Sequence, residues 1–449
     1  MNFIYNNIGS EIIWIGVDDT DSKAGGCTTY IAQAIVKKLH EKNYNIIGYP
    51  RLVRLNPNIP WKTRGNGAIS IRIGKGNGKK IKIGMVGHKD IFSYQRLTIV
   101  YKKNDINKIK NIVEGILKKY AKINDKNTNP GYVITQKQPS YKYYEKAVKE
   151  IVLLSDTKQL LQSLGANFGG FNNHRGIIGA TAAISWSPKT DYTYELLTYR
   201  REEKWGTKRI VDNESVKNMD KICTSTFDNF DYENNHNRLV PNSPCPVLYG
   251  IRGDNDKELL WARSKIRSEA IDRWMIFITN QGTDDHLIPK TINEIRPYQS
   301  AIVEGTVYSN PTTIRGGHVI FTLRDKTGVI DCAAYEPTKQ FRQTIRKIYL
   351  GDIIKVFGGV RKQPLTINLE KINIKQLKKI IVKTENPICT ICGKHMKSMG
   401  KNQGYKCKNC KVTKGKPCTK VRKRVLHKGF YEVPICARRH LSKPLKRMR

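Results

Sequence analysis

Two pairs of cysteines near the C-terminus constrain the fold more tightly than any other feature of the sequence. Cys389 and Cys392 form one C-x-x-C pair, and Cys407 and Cys410 form a second pair after 14 intervening residues. Four thiolates at this spacing can close a tetrahedral zinc site, which is the arrangement of a zinc ribbon. Because such a site has no open position, we expect the Zn²⁺ to be structural. The other cysteines are scattered, which favours a reducing compartment over a disulfide framework.

Basic residues greatly outnumber acidic residues. The 449 residues include 80 Lys and Arg against 38 Asp and Glu, a formal net charge of +42. This surplus indicates a polyanionic partner, and nucleic acid before a membrane surface. Compositional bias can supply scattered lysines, but it does not explain the 14 Lys and Arg in residues 411–449 beside a single acid, Glu432. We interpret that segment as a nucleic-acid-binding tail, with a solvated, disordered tail as the alternative.

The sequence shows neither a targeting segment nor a membrane span. The first residues, MNFIYNNIGSEIIWIGV, lack a basic n-region and a cleavage site, and Glu11 interrupts the apolar run. No run of about 18 uncharged apolar residues occurs. We therefore predict a cytoplasmic protein without a membrane partner, and nothing in the sequence indicates an obligatory protein partner.

Strand and helix patterns alternate along the first two-thirds of the chain. Residues 12–17 (IIWIGV) predict a buried strand, and apolar residues every fourth position predict an amphipathic helix over residues 28–42. The glycine-rich stretch 74–84 is typical of a hairpin or a mobile loop. We expect a mixed α+β architecture in which residues 1–200 form one domain and residues 201–292 a second, with interleaving of the two as the alternative.

Beyond Arg296 the pattern changes to five strand-like segments with one helical segment between the third and the fourth. The strand-like segments are SAIVEGTVYS, HVIFTLRD, GVIDCAAY, DIIKVFGGV and LTINLEKINI, and the helical one is TKQFRQTIRKIY. This is the order of an OB-fold, a small barrel that commonly holds single-stranded nucleic acid, although another small β-barrel would read similarly. We therefore predict an OB-fold over residues 293–376, a zinc ribbon over 385–415 and a basic tail over 416–449.

Three acids are concentrated in the stretch GVDDTDSKAGGCTTYIAQAI, directly after the first predicted strand. Asp18, Asp19 and Asp21 lie beside a loop whose shape suits an anion. Carboxylates next to a phosphate site repel the phosphate unless a cation lies between them. We therefore predict that the three acids surround Mg²⁺, with Asp18 and Asp21 as its ligands. A solvated acidic turn is the alternative.

The residues after these acids can offer hydrogen-bond donors to a phosphate. Gly25 and Gly26 form a turn before a helix whose first residues are Thr28 and Thr29. Backbone N–H groups at such a turn and hydroxyls at a helix N-terminus can contact phosphate oxygens. The segment is not a Walker A motif, because the GxxxxGK[ST] spacing is absent.

Two further glycine-punctuated segments carry positive charge, namely PWKTRGNGA and GGFNNHRGIIGA. Their candidate ligand-binding residues are Lys62, Arg64, Gly65, Gly67, His174, Arg175 and Gly176. Lys and Arg supply charge, Trp61 a stacking face, and the glycines allow close approach of a ligand to the backbone. Each segment alone could be an ordinary turn, and a lone histidine is more often structural. Together with the acidic loop they predict a nucleotide site, which we assign to ATP.

A polar cluster follows the predicted strand WMIFITN. In FITNQGTDDHL, the side chains of Asn280, Gln281, Asp284 and Asp285 could receive a cationic amine or guanidinium through charge-assisted hydrogen bonds. An ordinary polar loop is the alternative.

Taken in order, these segments resemble a known family over nearly the whole chain. The matching stretches are GVDDTDSKAGGCTTY, RLVRLNPNIPWKTRGNGA, HRGIIGATAAISW, PCPVLYGIRG, FITNQGTDDHL, RGGHVIFTLRD, CAAYEPTKQFR and the two C-x-x-C pairs. They are similar to those of the archaeal isoleucine-tRNA 2-agmatinylcytidine synthetases (TiaS), the agmatidine synthetases. The departures are Gly26, where many relatives have Met, and an extended basic tail.

The resemblance implies an unusual kinase domain, a ferredoxin-like domain, an OB-fold and a zinc ribbon. It also implies a reaction: agmatine is joined to carbon 2 of the wobble cytidine of the isoleucine tRNA with anticodon CAU. ATP is converted to AMP, and phosphorylation activates the base oxygen before the amine displaces it. By position in the CTTY motif, Thr28 corresponds to the family's autophosphorylated threonine, with Thr29 as the second choice. Asp284 or Asp285 would then hold the agmatine guanidinium.

Two other functions compete with this one. A non-enzymatic single-stranded nucleic-acid-binding protein would also combine an OB-fold, a zinc ribbon and a basic tail. That alternative leaves the three-acid loop unexplained and predicts no nucleotide hydrolysis. An ATP-dependent tRNA modifier that attaches a different amine differs from the implied enzyme only through the resemblance.

Overall fold

A mixed sheet of 11 strands runs through the N-terminal part of the computed structural model, which describes residues 12–99 and 103–448. Its strands up to residue 199 are β1 (Ile13–Asp18), β2 (Asn45–Ile47), β3 (Arg51–Arg54), β4 (Gly67–Val86), β5 (Lys89–Ile99), β6 (Gly131–Thr135), β7 (Asn167–Gly170) and β8 (Thr193–Tyr199). The helices of this part are α1 (Thr28–Glu41), α2 (Lys103–Tyr120), α3 (Tyr141–Lys149), α4 (Leu154–Ser163) and α5 (Gly176–Ser185).

Strand β1 is buried on both faces, which explains its continuous apolar sequence. It pairs antiparallel with β4 and with β6. Ile13 and Ile15 belong to the main core together with residues of α1 and α2. Trp14 belongs to a second core cluster with Ile177 and Ala180 of α5. Because apolar packing on two sides requires no polar face, the strand reads as an unbroken hydrophobic run.

The glycine-rich stretch 74–84 is one arm of the hairpin that β4 forms with β5, which is the first of the two expected structures, and it is not a mobile loop. It forms the middle of β4, a strand of 20 residues that pairs with β1, β2, β3, β5 and β13. The pairing of β4 with β5 is irregular at three places. Two of the glycines allow close approach, since a methyl group on Gly76 would overlap the Tyr94 ring and one on Gly84 would lie 2.8 Å from the Trp274 carbonyl oxygen.

The elements of the following part are α6 (Asn213–Ile222), β9 (Thr226–Phe227), β10 (Phe230–Asp231), β11 (His236–Asn237), β12 (Val247–Gly253), α7 (Asp256–Lys265) and β13 (Arg273–Thr279). Three of its strands, β9, β12 and β13, continue the same sheet, and β10 and β11 form a separate two-stranded sheet. The sheet order is β7-β6-β1-β4-β3-β13-β8-β12-β9. Strand β13 joins the two parts, because it pairs with β3 in parallel and with β4 and β8 antiparallel.

A closed barrel follows. Its elements are β14 (Leu287–Pro289), β15 (Ser300–Val307), β16 (Thr312–Thr313), β17 (Val319–Arg324), β18 (Val329–Ala334), α8 (Phe341–Arg346), β19 (Ile353–Arg361) and β20 (Thr366–Gln376). The order β15-β19-β20-β18-β17 is closed by pairing between β15 and β17. The predicted OB-fold order, with a helix between the third and the fourth strand of the barrel, is confirmed.

The C-terminal part contains short strands and a segment that returns to the rest of the molecule. The strands are β21 (Ile380–Glu385), β22 (Lys397–Ser398), β23 (Tyr405–Lys406), β24 (Thr413–Lys414), β25 (Cys418–Arg422) and β26 (Gly429–Glu432). Strands β21 and β25 pair as a stem, β22 to β24 form a small sheet, and β26 pairs with β20 of the barrel. No helix among the described residues is both long and apolar enough to cross a membrane.

Candidate active site

A cavity of about 500 Å³ opens beside the carboxyl end of β1. Three of the segments singled out from the sequence contribute to its wall. The predicted residues that line it are Asp18, Asp19, Asp21, Thr28, Thr29, Lys62, Arg64, Gly65, Gly67, Arg175 and Gly176. Gly25, Gly26 and His174 are not part of this wall, although they lie in the same loops. The fold therefore gathers most of the predicted nucleotide-site residues in one place.

The first two acids are held against the backbone of neighbouring elements. Asp18 ends β1, and its carboxylate lies so close to α5 that a methyl group on Gly179 would overlap an Asp18 carboxylate oxygen. Asp19 has a φ of 53°, in the left-handed region that non-glycine residues seldom adopt. Its carboxylate accepts hydrogen bonds from the Asn129 backbone N–H at 3.1 Å and from the Thr63 hydroxyl at 3.4 Å.

Burial raises the pKa of both carboxyl groups. Burial, and secondly the charge of Asp19, raises the pKa of Asp18 well above its ordinary value. Burial raises the pKa of Asp19 from 3.8 to about 6, against the lowering effect of the hydrogen bond from Asn129. Two adjacent carboxylates that are expensive to ionise are suited to a cation, because a cation removes both the desolvation cost and the mutual repulsion.

The third acid is tied to the cationic loop. The Arg64 guanidinium donates to the Asp21 carboxylate at 2.5 Å and to the Gly26 carbonyl oxygen at 2.6 Å. Gly26 has a φ of 80°, a conformation that favours glycine and that turns the chain into α1. The contacts of Arg64 thus join the acidic loop, the glycine turn and the loop 62–67 into one unit.

The two threonines of the CTTY motif begin α1 and are almost completely buried. The Thr28 hydroxyl accepts a hydrogen bond from the Thr20 hydroxyl at 3.1 Å. The Thr29 hydroxyl lies 3.0 Å from the Cys27 sulfur. Both threonines line the cavity together with the acids.

Lys62, Trp61 and Arg175 form an outer wall of the cavity. The Arg175 guanidinium stacks 4.0 Å from the centre of the Trp61 ring, whose side chain is half exposed. The Lys62 ammonium donates to the Pro57 carbonyl oxygen. Burial, and secondly the charge of Arg439, lowers the pKa of Lys62 to about 8. An ammonium whose charged form is disfavoured in this way gains stability when an anion approaches.

A second group of charged residues, which the sequence did not indicate, lines the cavity next to the cationic loop. It consists of Arg54, Glu195, Arg238, Arg252 and His440. Glu195 accepts from Arg252 at 3.1 Å and lies 3.9 Å from a nitrogen of Arg54. These residues come from β3, β8, β12 and two loops, and no spacing in the sequence connects them. Only the sheet order brings them together.

The polar cluster after β13 lies behind the cavity wall, where two of its members support wall residues and two bond elsewhere. The Asn280 side chain accepts a hydrogen bond from the Arg54 backbone N–H and donates one to the Arg54 carbonyl oxygen. The Gln281 side chain donates to Glu195 at 2.6 Å. Asp284 accepts from the buried Lys371 ammonium at 2.6 Å, and Asp285 accepts from the Tyr144 hydroxyl at 2.6 Å. None of these four predicted agmatine contacts lines the cavity.

The four paired cysteines converge as predicted. Their sulfur atoms all lie within 4.8 Å of one another, and they are the one cluster of metal-ligating side chains found in the described part of the chain. Backbone N–H groups of Cys392 and Ile391 lower the pKa of Cys389 to about 7, whereas the hydrogen bond with Cys392 raises the pKa of Cys410 to about 12. Crowded thiols that share protons in this way fit a Zn²⁺ ion, which takes the place of the protons.

The cavity, the barrel and the cysteine cluster on one basic chain define a multidomain, nucleotide-dependent enzyme class that acts on nucleic acid. Family models agree in order along the chain: the TiaS TCKD domain over residues 14–173, the TiaS FLD domain over 174–286, an OB-fold nucleic acid binding domain over 301–375 and the TiaS C-terminal zinc ribbon domain over 386–426. The chain belongs to the TiaS family, the isoleucine-tRNA 2-agmatinylcytidine synthetases, as its sequence predicted.

Relatives of the chain match it over nearly its full length. The 2-agmatinylcytidine synthetase TiaS of Methanocaldococcus jannaschii is 45% identical over 446 residues, covering 97% of this chain and 98% of the relative. That of Archaeoglobus fulgidus is 40% identical over 444 residues, covering 97% of each. The crystal structure of a TiaS complex with its isoleucine tRNA and ATP superposes with a TM-score of 0.84 at 39% identity. That of a TiaS complex with the same tRNA, AMPCPP and agmatine superposes with a TM-score of 0.81 at 37% identity, and each covers 98% of both chains.

Proposed function

We propose that this chain joins agmatine to carbon 2 of the wobble cytidine of the isoleucine tRNA with anticodon CAU, giving agmatidine and converting ATP to AMP. The proposal rests mainly on one observation: in this member of the family, an acidic loop, a cationic loop and two threonines at the start of α1 line a single cavity. The solved relatives bind an isoleucine tRNA, ATP and agmatine, which are the substrates this reaction requires.

The chemistry of the proposed reaction has two parts. One phosphoryl group of ATP first makes the cytidine oxygen a phosphate ester, which turns a poor leaving group into a good one, and transfer of the second phosphoryl group to Thr28 or to water leaves AMP. The primary amine of agmatine then attacks carbon 2, the bond from that carbon to the ester oxygen breaks, and phosphate departs while the attacking nitrogen loses a proton. Phosphoryl transfer depends chiefly on positioning and charge neutralisation, which the cavity's mixture of acids and cations can supply.

Asp18 and Asp21 are the proposed ligands of Mg²⁺, with Asp19 beside them. Burial and mutual repulsion of Asp18 and Asp19 support a cation at this position. Mg²⁺ is usually held by one or two carboxylates plus substrate phosphates, so the acids need not form a complete cage. The ion would neutralise developing charge on the polyphosphate. Backbone N–H groups of Gly25, Gly26 and the start of α1 would contact the oxygens of the polyphosphate.

Thr28 is the proposed phosphoryl acceptor, with Thr29 as the second choice. Its hydroxyl lines the cavity and already takes part in a hydrogen bond with Thr20. On the outer wall, Lys62, Arg64 and Arg175 would contact the polyphosphate. His174 shares the loop of Arg175, and we retain it as a proposed contact even though it does not line the cavity.

The assignment of Asp284 or Asp285 to agmatine stays a prediction. In this structure the Asp284 carboxylate accepts a hydrogen bond from Lys371, and the Asp285 carboxylate accepts one from Tyr144. A guanidinium contact with either side chain therefore requires that one of these internal bonds be exchanged. Asp284→Asn and Asp285→Asn should raise the KM for agmatine without changing the KM for ATP, and unchanged agmatine kinetics in both variants would remove this assignment.

The OB-fold and the zinc ribbon are proposed to bind different regions of the tRNA. The OB-fold, near residues 293–376, and the zinc ribbon, near 385–415, would spread phosphate contacts over the anticodon and acceptor regions while the wobble base leaves its stack. We place the border of the kinase-like domain near residue 200 and that of the ferredoxin-like domain near 292. A cytoplasmic location is likewise a prediction.

Nucleotide products test the proposal against a purely nucleic-acid-binding protein. The enzyme should form AMP from ATP when Mg²⁺, CAU-anticodon tRNA and agmatine are present, whereas a binding protein should form none. Asp18→Ala and Asp21→Ala should abolish turnover with tRNA binding nearly intact. Asp156→Asn, a half-exposed acid paired with Lys146 on the surface, is the matched control and should behave as wild type. Wild-type turnover in both cavity variants would remove the metal assignment.

A further inference from the structure

The C-terminal segment 438–448 is anchored to the domains that form the cavity. The Arg438 guanidinium pairs with Asp228 and, at 2.5 Å, with Glu432. Arg447 pairs with Asp191 at 2.8 Å, and Lys443 pairs with the same carboxylate at 2.8 Å. These basic side chains are therefore neutralised within the molecule. A segment that reads as a free basic tail is a docked part of the structure.

Main-chain bonds fix the same segment beside the strand β13. The Gly282 N–H donates to the His440 carbonyl oxygen at 2.8 Å, and the Asp284 N–H donates to the Leu441 carbonyl oxygen at 2.8 Å. Leu441 is 2% exposed and belongs to the main core of the sheet domain. Ion pairs, backbone bonds and apolar burial thus hold the segment on both sides of His440.

His440 projects into the wall of the active-site cavity. Its Nδ1 lies 2.9 Å from a terminal nitrogen of Arg252. Its other face meets the loop 62–67, because a methyl group on Gly65 would lie 3.4 Å from the His440 Nε2. The side chain therefore stands between the cationic loop and Arg252.

The direction of the bond between Arg252 and His440 follows from their chemistry. A guanidinium only donates, so the His440 Nδ1 accepts and carries no proton. Burial, followed by the charges of Arg54, Arg252, Arg238 and Lys62, lowers the pKa of His440 well below its ordinary value. The imidazole is therefore neutral and able to accept this hydrogen bond.

Arg252 is held on two of its nitrogens and exposes the third. Its Nε donates to Glu195 at 3.1 Å, and its Nη2 donates to His440. Its Nη1 has no hydrogen-bond partner among residues 12–99 and 103–448, and it is not sealed from solvent. A planar guanidinium fixed at two nitrogens presents its remaining donors in one direction, which suits a phosphate oxygen.

We infer that the C-terminal segment supplies a positioning residue, His440, which orients Arg252 toward an anionic phosphate group in the cavity. This deepens the proposed function and rests on it for the identity of the phosphate. Two sources share that chemistry, namely the polyphosphate of ATP and the backbone of the tRNA near the wobble nucleotide. In either case the end of the chain completes the active site.

Two nearly isosteric variants separate this role from a structural one. His440→Asn places an amide oxygen where Nδ1 was, whereas His440→Gln places its polar atoms nearer to Nε2. His440→Gln and His440→Ala both lose the hydrogen bond between His440 and the charged Arg252. We expect each to lower kcat/KM by about 10- to 100-fold for the substrate, ATP or tRNA, whose phosphate Arg252 contacts. His440→Asn should retain most of the activity. Lys443→Ala, which weakens docking outside the cavity, should stay within about twofold of wild type.

Affinities measured without turnover identify the source of the phosphate. The dissociation constants of ATP without tRNA, and of CAU-anticodon tRNA without ATP, are compared across the same variants. A weaker ATP complex in His440→Gln assigns the phosphate to ATP, and a weaker tRNA complex assigns it to tRNA. The inference would be overturned if the dissociation constants and kcat/KM of the His440 variants equalled those of wild type. It would also be overturned if His440→Asn, His440→Gln and Lys443→Ala all lost the same amount of activity. If the wild type transfers no agmatine, the proposed function fails while the two affinities still decide the role of His440.

Discussion

Neutralising Asp19 should stabilise the protein while it removes activity. The folded-state pKa of Asp19 is about 6 against an ordinary value of 3.8, so the ionised carboxylate destabilises the folded state at neutral pH. A difference of about 2.2 at about 1.36 kcal/mol per pKa unit gives about 3 kcal/mol. Asp19→Asn removes this cost and also the repulsion that Asp18 experiences. The amide oxygen can keep the hydrogen bond from the Asn129 N–H, the amide nitrogen can donate to the Thr63 hydroxyl, and Asn tolerates the positive φ of 53°.

The pH dependence of the effect distinguishes it from ordinary repacking. The destabilisation is nearly complete above about pH 6, shrinks as the pH falls and largely disappears below about pH 4, because the carboxylate is then protonated in both states. The variant's gain in the free energy of unfolding should therefore fall from about 3 kcal/mol near pH 7.5 to about half that value near pH 5.

Urea unfolding followed by tryptophan fluorescence measures this gain. Trp14, Trp186 and Trp274 are buried in the sheet domain and report on its unfolding. Added Mg²⁺ and ATP should stabilise the wild type more than Asp19→Asn, since the negative charge of Asp19 adds to the attraction of an ion held by Asp18 and Asp21. A variant that is less stable than wild type near pH 7.5, or a gain that does not change with pH, would refute the argument that buried charge at Asp19 is costly.

Three further changes test other parts of the structure. Gly179→Ala should displace the Asp18 carboxylate, since the new methyl group would overlap it, and should lower the rate of AMP formation at least about tenfold with tRNA affinity retained; normal turnover would contradict the packing described. Thr28→Val should abolish autophosphorylation by γ-labelled ATP while Thr29→Val retains it, and the opposite result would transfer the role to Thr29. Cys389→Ser should lower the zinc content measured by atomic absorption and weaken tRNA binding without changing ATP affinity; full zinc content would count against the ribbon.

Local sequence patterns predicted the elements whose residues carry their own signal. The apolar run of β1, the four-residue periodicity of α1 and the alternating strands of the barrel each follow from burial on defined faces. The four ribbon cysteines could be identified because their spacing is itself the geometry of the site. The fold class and the family are confirmed for the same reason, since they rest on extended segments such as GVDDTDSKAGGCTTY.

Features that depend on distant partners could not be predicted. The glycine-rich part of β4 runs on as one long strand because β5 pairs with residues 75–86 and the distant strand β13 pairs with residues 84–86. Arg252 and Glu195 belong to the cavity because sheet order places β12 beside β8, and nothing in their local sequence indicates it. Arg438 and Arg447 read as part of a free basic tail, since their partners Asp228 and Asp191 lie more than 200 residues earlier. The residues assigned to Mg²⁺, ATP and agmatine stay predictions until the variants are measured.

Incorporation of labelled agmatine into tRNA measures the proposed reaction itself. Purified protein would receive ATP, Mg²⁺, labelled agmatine and a CAU-anticodon isoleucine tRNA transcript, with a transcript carrying U at the wobble position as the control. We expect label only in the cytidine transcript and only with ATP. Tight tRNA binding without any label, or equal label in both transcripts, would show that this chain does not catalyse the proposed reaction.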